Sequence, residues 1–297
     1  MVSFITVDYN GLEVTCALLE SLKKHVCNSS WEAIVVDNGS KENEAAAIAQ
    51  RYPWAKTIRS EKNLGFAGGN NLGIKEAQGD CLFFVNNDTE IFEDKLESLT
   101  NVFAEHPQTG MVCPKICFFD SPGTIQYAGY TPMRGIRMKN EMIGYGKTDD
   151  GNFDTPSSTA FPHGAAMMVS RSALEKVGPM PECYFLYYEE LDWGEMFRRA
   201  GFEIRYQPTM TVFHKDSVTT GRRSPLSDYY MLRGRQIFAE RNLKGLQRAG
   251  ALLFTRWVAV PKRAAAALLS GRKANFKALF KANRDFKKMK KGGELCF

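Results

Sequence analysis

The chain has 297 residues, of which 44% are hydrophobic and 24% charged, and its net charge at pH 7 is +6. This composition is typical of a folded soluble protein with enough apolar residues for a core. No apolar run approaches the roughly 20 residues of a membrane span, and the first residues do not read as a basic, apolar leader. The seven cysteines have no metal-binding spacing. We therefore expect a reduced protein inside the cell.

The charge is unevenly distributed along the chain. Residues 244–291 contain 14 Lys and Arg against one acid, Asp285, a net +13, which leaves residues 1–243 with a net charge of −6. Apolar residues recur among these cations at helical spacing, and basic amphipathic helices with Trp and Phe bind anionic membrane surfaces. The alternative is a solvated terminal helix packed on its own domain. Nucleic acid is a poorer partner, because the acidic body would repel it.

The first 90 residues alternate between strand-like and helix-like segments. Alternation of this kind predicts a parallel sheet with helices on its faces. Ser40 is predicted to cap the second helix. The predicted strands are 3–7, 34–36, 57–59 and 81–85, and the predicted helices are 12–25, 40–51 and the glycine-rich segment 63–79.

The rest of the chain is predicted to add strands and then helices. The segment 134–160 has weak periodicity and is predicted to form loops, whereas 225–243 is predicted to be helical. The other predicted helices are 92–106, 171–177 and one within 185–201, and the other predicted strands are 111–119, 124–130, 164–169, 203–206 and 211–214.

Acids and amides follow three of the four N-terminal strands: Asp8-Tyr9-Asn10, Asp37-Asn38 and Asn87-Asp88. Ligands of open α/β sheets bind beyond the carboxyl ends of the strands, so this row predicts a nucleotide site. The alternative is a set of ordinary turns, because Asn and Asp also favour turns. The chain lacks both GxGxxG after the first strand and GxxxxGK[ST], which disfavours dinucleotide-binding and P-loop proteins.

Two residues are candidate ligands of a divalent cation. Asp88 follows a buried strand and is well placed to hold a cation on a diphosphate. His214 ends the last predicted strand, where a histidine is either structural or, if Asp88 binds a metal, a second ligand. The glycines of residues 63–71 would allow the backbone to approach a bound ligand closely, and the amides could form hydrogen bonds with it.

Glu189, Glu190 and Asp192 follow an aromatic run at the predicted start of a helix. Carboxylates stabilise a helix N-terminus, which is one reading of the cluster. Several carboxylates behind Phe185, Tyr187 and Tyr188 also suit a desolvated general base, which we favour.

Six segments in this order resemble glycosyltransferase family 2. The closest branch is similar to the bacterial rhamnosyltransferase-type enzymes of cell-surface polysaccharide synthesis. The resemblance covers about residues 1–240. The segments are VDYNG at 7–11, VVDNGS at 35–40, NLGFAGGNN at 63–71, FVNNDTE at 84–90, HGAAMMVSRSAL at 163–174 and FLYYEELDW at 185–193.

The resemblance implies a GT-A fold, which is a three-layer α/β/α arrangement around a mostly parallel sheet. It implies an inverting, metal-dependent transferase domain in residues 1–224, with Mg²⁺ or Mn²⁺ as cofactor. The charge and apolar spacing of the remaining residues predict a basic helical extension in residues 225–297. The donor is a nucleotide-diphosphate sugar, with rhamnose from dTDP-rhamnose as first guess. The expected acceptor is a saccharide or a lipid-linked saccharide, and a lipid-linked acceptor at the inner face of the cytoplasmic membrane would explain the basic extension.

The family's functional residues map onto matching positions of this chain. Asp37 resembles the acid that reads the nucleobase, and Asp88 resembles the last acid of the metal motif, whose first position is Asn86 here. His214 resembles the histidine that completes the metal shell. Glu190 resembles the catalytic base, with Glu189 and Asp192 as rivals. The further nucleotide-binding candidates are Val7, Asp8, Tyr9, Asn63, Gly65, Gly68, Asn70 and Asn87.

Two other functions remain open from the sequence. A nucleotidyltransferase that makes the sugar nucleotide also uses a doubly wound sheet, but it would need a glycine-rich, basic loop after the first strand, where this chain has Asp8 and Tyr9. A non-catalytic binding module could keep the fold without turnover. By position, residues 134–163 are expected to shape the acceptor side.

Overall fold

The computed structural model describes residues 1–215 and 224–295. Within these residues, ten strands form one mixed sheet in the order β3-β2-β1-β4-β9-β6-β10-β5, with β7 beside β6 and β8 beside β10. The strands are β1 Val2–Asp8, β2 Trp31–Asp37, β3 Lys56–Arg59, β4 Cys81–Val85, β5 Thr89–Glu90, β6 Thr109–Phe118, β7 Ser121–Tyr127, β8 Ser157–Ser158, β9 Ala166–Ser170 and β10 Glu203–His214.

Helices cover the sheet and continue into a C-terminal region. The body helices are α1 Leu12–His25, α2 Glu44–Arg51, α3 Gly65–Glu76, α4 Leu96–Glu105, α5 Arg171–Val177 and α6 Glu189–Arg199. The C-terminal helices are α7 Pro225–Asn242, α8 Gly245–Phe254, α9 Val260–Leu269 and α10 Lys273–Gly292, with a π-helical turn, Thr255–Ala259, between α8 and α9. None of the helices in the described part of the chain has the length and apolar character needed to cross a bilayer.

The predicted alternation of the first 90 residues is confirmed. β1 lies between β2 and β4 and runs parallel to both, so the residues after these three strands meet at one edge of the sheet. Ile5, Val36 and Phe83 are fully buried, as expected for central strands covered on both faces. β9 then pairs antiparallel with β4 and extends the sheet toward β6 and β10.

Three local predictions were wrong. The second helix begins at Glu44, and its N-cap is Asn43, whose side chain accepts a hydrogen bond from the Ala46 N–H; Ser40 instead donates its N–H to Asp37. The last two predicted strands form the single strand β10, which bulges between Gln207 and Thr211. The segment 134–160 is not all loop, because β8 and the end of an antiparallel hairpin, residues 130–142, lie within it.

The C-terminal helices share a hydrophobic core with the body. Phe238 and Ile237 of α7 and Ala251 of α8 are buried in one cluster with Phe161 and Tyr184. A polar contact lies beside this cluster, where the buried Asp192 of α6 accepts hydrogen bonds from Arg241 and Asn242 of α7. The helical region is therefore packed against α6 and the segment before it.

Candidate active site

A cleft of about 370 Å³ opens at the carboxyl ends of β1, β2 and β4. Its volume lies in the range of small-molecule sites, roughly 300–1,000 Å³. Its walls come from the strand ends, the start of α3, the segment before α6 and the end of β10. The residues with side chains or backbone at the cleft include Val7, Tyr9, Asn38, Asn63, Gly65, Asn70, Asn87, Asp88, Phe185, Tyr187 and His214.

The start of α3 is fixed against the segment that precedes α6. Gly65 has a φ of +75°, and a Cβ added to it would lie 2.3 Å from the Phe185 carbonyl oxygen. The next N–H, that of Phe66, donates to the same carbonyl at 2.9 Å. Only glycine allows this close approach, so Gly65 brings two cleft walls together.

The segment before α6 is strained. Phe185, Tyr187 and Tyr188 have φ values of 78°, 65° and 79°, a region that costs bulky residues on the order of 1–3 kcal/mol each. The Phe185 ring stacks on Tyr230 of α7 with centroids 4.9 Å apart. Packing from α3 and α7 thus holds a strained backbone beside the cleft, which is common at functional sites.

Asp88 and His214 meet although they lie far apart in sequence. β5 pairs antiparallel with the end of β10, so that His214 lies opposite Thr89. The His214 Nε2 atom is 3.1 Å from Asp88 Oδ1. On its other side, His214 Nδ1 is 2.8 Å from the Gln126 side-chain oxygen. Because that oxygen can only accept, a neutral imidazole in this position carries its hydrogen on Nδ1 and presents the Nε2 lone pair toward Asp88.

These two residues suit a divalent cation. Asp88 Oδ1 is buried and accepts no hydrogen bond from any residue that the structure describes. An imidazole lone pair that faces an unsatisfied carboxylate oxygen is a typical pair of metal ligands, and the Gln126 contact orients the ring. No third His, Cys, Asp or Glu joins them among residues 1–215 and 224–295, so the remaining ligands would be diphosphate oxygens and water.

Helix α6 begins with Glu189 and Glu190, shortly after Tyr187, which lines the cleft; the two glutamates do not line it themselves. Burial raises the pKa of Glu190 to about 7, although backbone N–H groups at the helix start oppose the shift. Burial and the charge of Glu190 also raise the pKa of Glu189 well above its usual range. The Glu190 side chain lies against Gly164, and the neighbouring His163 ring is 6.3 Å from the His214 ring, centroid to centroid.

Asp192 has a different environment. It is fully buried and accepts hydrogen bonds from Tyr184 at 2.8 Å and Asn242 at 2.7 Å. Arg241 forms a close ion pair with Oδ2, the oxygen that Tyr184 also binds, whereas Asn242 binds Oδ1. With both oxygens occupied, Asp192 connects α6 to α7.

Comparison with known proteins identifies the family. The model of glycosyl transferase family 2 matches residues 3–178. The chain belongs to glycosyltransferase family 2. This family 2 chain is 27% identical over 214 residues to the N-acetylglucosaminyl-diphospho-decaprenol L-rhamnosyltransferase of Mycobacterium tuberculosis, which covers 64% of the chain and 68% of the relative.

Two further comparisons concern a shorter match and the fold. An uncharacterized glycosyltransferase of Haemophilus influenzae is 34% identical over 113 residues, or 38% of the family 2 chain, and the match spans only 37% of that relative. The mannosyltransferase PcManGT of Pyrobaculum calidifontis, solved with GDP-Man and Mn²⁺, aligns with a TM-score of 0.57 at 15% identity over 96% of this chain and 86% of its own. The predicted GT-A fold is thereby confirmed.

Most of the predicted nucleotide-binding residues of the family 2 chain lie at the cleft. Asp37 and Asp8 do not line it and are fully buried below the strand ends. Asp37 is bonded to Arg59 and to backbone N–H groups, and Asp8 accepts a hydrogen bond from Thr15. The predicted residues at the cleft are Val7, Tyr9, Asn63, Gly65, Asn70, Asn87, Asp88 and His214; Gly68 lies on α3 behind the cleft lining.

Two features of the family 2 site were missed from the sequence. Gln126 lies 88 residues before His214 and reaches it because β7 pairs with β6, the neighbour of β10. The left-handed backbone at Phe185, Tyr187 and Tyr188 was missed because none of these positions is a glycine that would have indicated it. His163 was included only in the expected acceptor side, yet its ring stacks on Tyr130 and lies beside His214.

Proposed function

We propose that the chain is an inverting, metal-dependent glycosyltransferase that moves a sugar from a nucleotide-diphosphate donor to a hydroxyl of a saccharide. The observation that carries the proposal is the approach of His214 Nε2 to the unsatisfied Asp88 Oδ1, 3.1 Å apart, at a cleft at the carboxyl ends of the sheet. In this reading, residues 1–224 bind the donor and carry out the transfer, although 216–223 lie outside the described residues.

Each group near the cleft then has one task. The strand-end and α3 residues bind the nucleotide, with Tyr9 and Asn38 at the opening. Asp88 and His214 would hold Mg²⁺ or Mn²⁺, and the cation would supply positive charge to the departing diphosphate. The buried Asp8 supports the site from below, because its Oδ1 accepts a hydrogen bond from the Asn87 side chain at 3.3 Å.

Glu190 is the proposed base. A carboxylate with a pKa of about 7 takes a proton from a hydroxyl more readily than one with an ordinary pKa. As the bond to the anomeric carbon forms, Glu190 accepts the proton of the acceptor hydroxyl, and the bond to the diphosphate breaks on the opposite face. One displacement inverts the configuration, so a second nucleophilic carboxylate is unnecessary.

The relatives support a more specific donor and acceptor. Rhamnose from dTDP-rhamnose is the first donor to test, because the mycobacterial relative is named as an L-rhamnosyltransferase with a diphospho-decaprenol acceptor. A lipid-linked acceptor would bring this chain into peripheral contact with the inner face of the cytoplasmic membrane. The basic extension, residues 225–297, suits contact with anionic lipid.

The test is a thermal-shift screen of nucleotide diphosphates and nucleotide sugars, with and without Mn²⁺ or Mg²⁺. A ligand that binds the native state raises the melting temperature. We expect a shift for dTDP or another nucleotide diphosphate that is larger with the metal, followed by sugar transfer from the matching donor. If no nucleotide diphosphate shifts the melting temperature, the proposal is overturned. A shift without transfer to any acceptor in a broad panel would indicate a binding module.

A further inference from the structure

The helix formed by α8, the π-helical turn and α9 has one face packed on the protein. Ala251 joins the cluster around Phe238, and Val260 packs with Leu232 of α7 and Leu279 of α10. The buried positions recur every three to five residues along the helix. They are Ala251, Thr255, Val260, Ala264 and Ala267.

The same helix has a second apolar stripe that faces solvent. Trp257 is 64% exposed, and Leu246 and Leu269 at the two ends are 92% and 91% exposed. Leu253 and Leu268 lie between them at helical intervals, together with the small exposed residues Ala249, Pro261 and Ala265. Single exposed apolar residues are normal, but an aligned row of large ones indicates an interaction surface.

A hairpin of the body extends this stripe. Residues 130–142 form the hairpin, and Ile136 at its tip is 44% exposed. Ile136 lies so close to α8 that a Cβ at Gly250 would be 2.9 Å from it. The Arg137 guanidinium lies 5.8 Å from the centre of the Phe254 ring, and Arg235 donates to the Arg137 carbonyl. The hairpin tip and α8 are therefore neighbours on one surface.

The charge around this surface identifies the partner. Residues 244–291 contain 14 Lys and Arg and one acid, and the hairpin adds Arg134, Arg137 and Lys139 against one acid, Glu141. A second copy of this surface would be repelled by like charge. Nucleic acid would leave the apolar stripe exposed to water. Apolar side chains on a helix that also carries the exposed Arg248, Arg256, Lys262 and Arg263 are instead complementary to the headgroup region of a bilayer that contains anionic lipid.

We propose that the outward stripe of residues 245–269, together with the hairpin tip at Ile136, docks on an anionic lipid bilayer. The base of the same hairpin reaches the active site, since Tyr130 stacks on His163 and His163 neighbours His214. Docking would therefore turn the acceptor side of the cleft toward the membrane. The proposal deepens the proposed function, on which it rests for the lipid-linked acceptor.

The test measures binding to vesicles of phosphatidylglycerol with phosphatidylcholine, and to vesicles of phosphatidylcholine alone. We expect the full chain to cosediment with the anionic vesicles, less so at high salt, and not with the neutral ones. The Leu253→Asp, Leu268→Asp double variant should bind at least tenfold more weakly. Trp54→Asp, at an exposed aromatic residue on the body beside Lys23, is the matched control and should bind like the wild type.

Fluorescence reports which surface binds. In a Trp54→Phe background Trp257 is the one strongly exposed tryptophan of the four in the chain, and its emission should shift to the blue on the anionic vesicles. If the chain does not bind anionic vesicles, or if the double variant binds them like the wild type, the proposal is overturned. A wild-type dimer that the double variant dissociates, without vesicle binding, overturns it in favour of self-association. The nucleotide thermal shift without vesicles tests the proposed function separately.

Discussion

The ends of β2 and β4, which flank β1, carry the same residue types in different environments. Asp37 after β2 is fully buried, and its oxygens accept hydrogen bonds from Arg59 at 2.6 Å, Ser40 at 2.9 Å and Ala45 at 3.3 Å. Asp88 after β4 borders the cleft, and its Oδ1 accepts no hydrogen bond from the described residues but lies 3.1 Å from His214 Nε2.

The difference separates carboxylates with a structural role from carboxylates that can bind a ligand. A carboxylate whose oxygens are all occupied by its own protein has little capacity left for a ligand, whereas a buried, unsatisfied oxygen lowers its free energy by binding one. The same contrast separates Asp192, with its partners on α7, from Glu190, whose pKa is raised to about 7. Hydrogen-bond satisfaction therefore separates Asp37 and Asp192 from Asp88, but it does not rank every acid, because the buried Asp8 Oδ2 and Glu189 Oε2 also lack a hydrogen-bond partner among the described residues.

The largest expected effect comes from replacing the proposed base, Glu190. We expect Glu190→Gln to lower the rate of transfer by about 10²–10⁴-fold, the usual contribution of a general base, without weakening nucleotide binding. The variant should also melt at a higher temperature at pH 8. Folding raises the pKa of this carboxyl, so the wild-type folded state loses stability as the pH rises through about 7 and Glu190 becomes charged. The amide of the variant does not become charged.

Glu189→Gln is the matched control for that experiment. Glu189 is 2% exposed, and its Oε2 has no hydrogen-bond partner among the described residues, so amide replacement should affect stability more than turnover. Transfer would be measured with saturating donor, and binding by calorimetry. If Glu189→Gln loses transfer while Glu190→Gln keeps it, the two roles are exchanged.

The pH dependence of the wild type gives a second test. With a base of pKa about 7, kcat/KM should fall about tenfold for each pH unit below 7 and by about 100-fold at pH 5. The residual rate of Glu190→Gln should stay flat over this range. An acid limb near 4.5, the usual value for Glu, would mean that the base is not the buried carboxyl of α6.

Much of the fold was predictable because its signals are local. Helix α1 was predicted at its observed bounds, Leu12–His25, since apolar residues recur at helical spacing after a turn cluster. The single strand β10 was predicted as two strands, because the polar bulge between Gln207 and Thr211 interrupts the apolar pattern. β10 pairs with β6 on both sides of the bulge. This pairing depends on residues far away in the chain, so the local sequence does not indicate it.

The candidate site was predictable where strands end in acids and not where tertiary packing decides. Asp88 and His214 follow from strand-end position and family resemblance, but the Gln126 contact depends on the order of β7, β6 and β10 in the sheet. The strained backbone at Tyr187 also depends on packing, since aromatic residues seldom adopt positive φ without it. The catalytic and binding roles of these residues remain predictions.

Gln126 offers a test of the metal-binding side of the comparison. We expect Gln126→Leu to weaken Mn²⁺ affinity by about 10–100-fold in the presence of a nucleotide diphosphate, because His214 loses the acceptor that fixes its tautomer. Manganese binding would be followed by electron paramagnetic resonance. Gln207→Leu on β10, where the side chain bonds only to Thr209 among the described residues, is the control and should leave the affinity unchanged. Equal affinity in both variants would count against His214 as a ligand.

The smallest expected effect is that of replacing Asp37, and it tests whether this residue is structural or binds the nucleobase. If Asp37 is scaffold, Asp37→Asn should lower the free energy of unfolding by about 1–3 kcal/mol, because an amide N–H₂ would face the Arg59 guanidinium, and the dissociation constant for nucleotide should change little. Urea unfolding and calorimetry measure the two quantities. Glu13→Gln breaks the exposed pair with Arg51 and should cost less than about 1 kcal/mol. If Asp37→Asn instead weakens nucleotide binding at unchanged stability, Asp37 reads the base, as the family resemblance implies, and hydrogen-bond saturation fails as a criterion for this edge of the sheet.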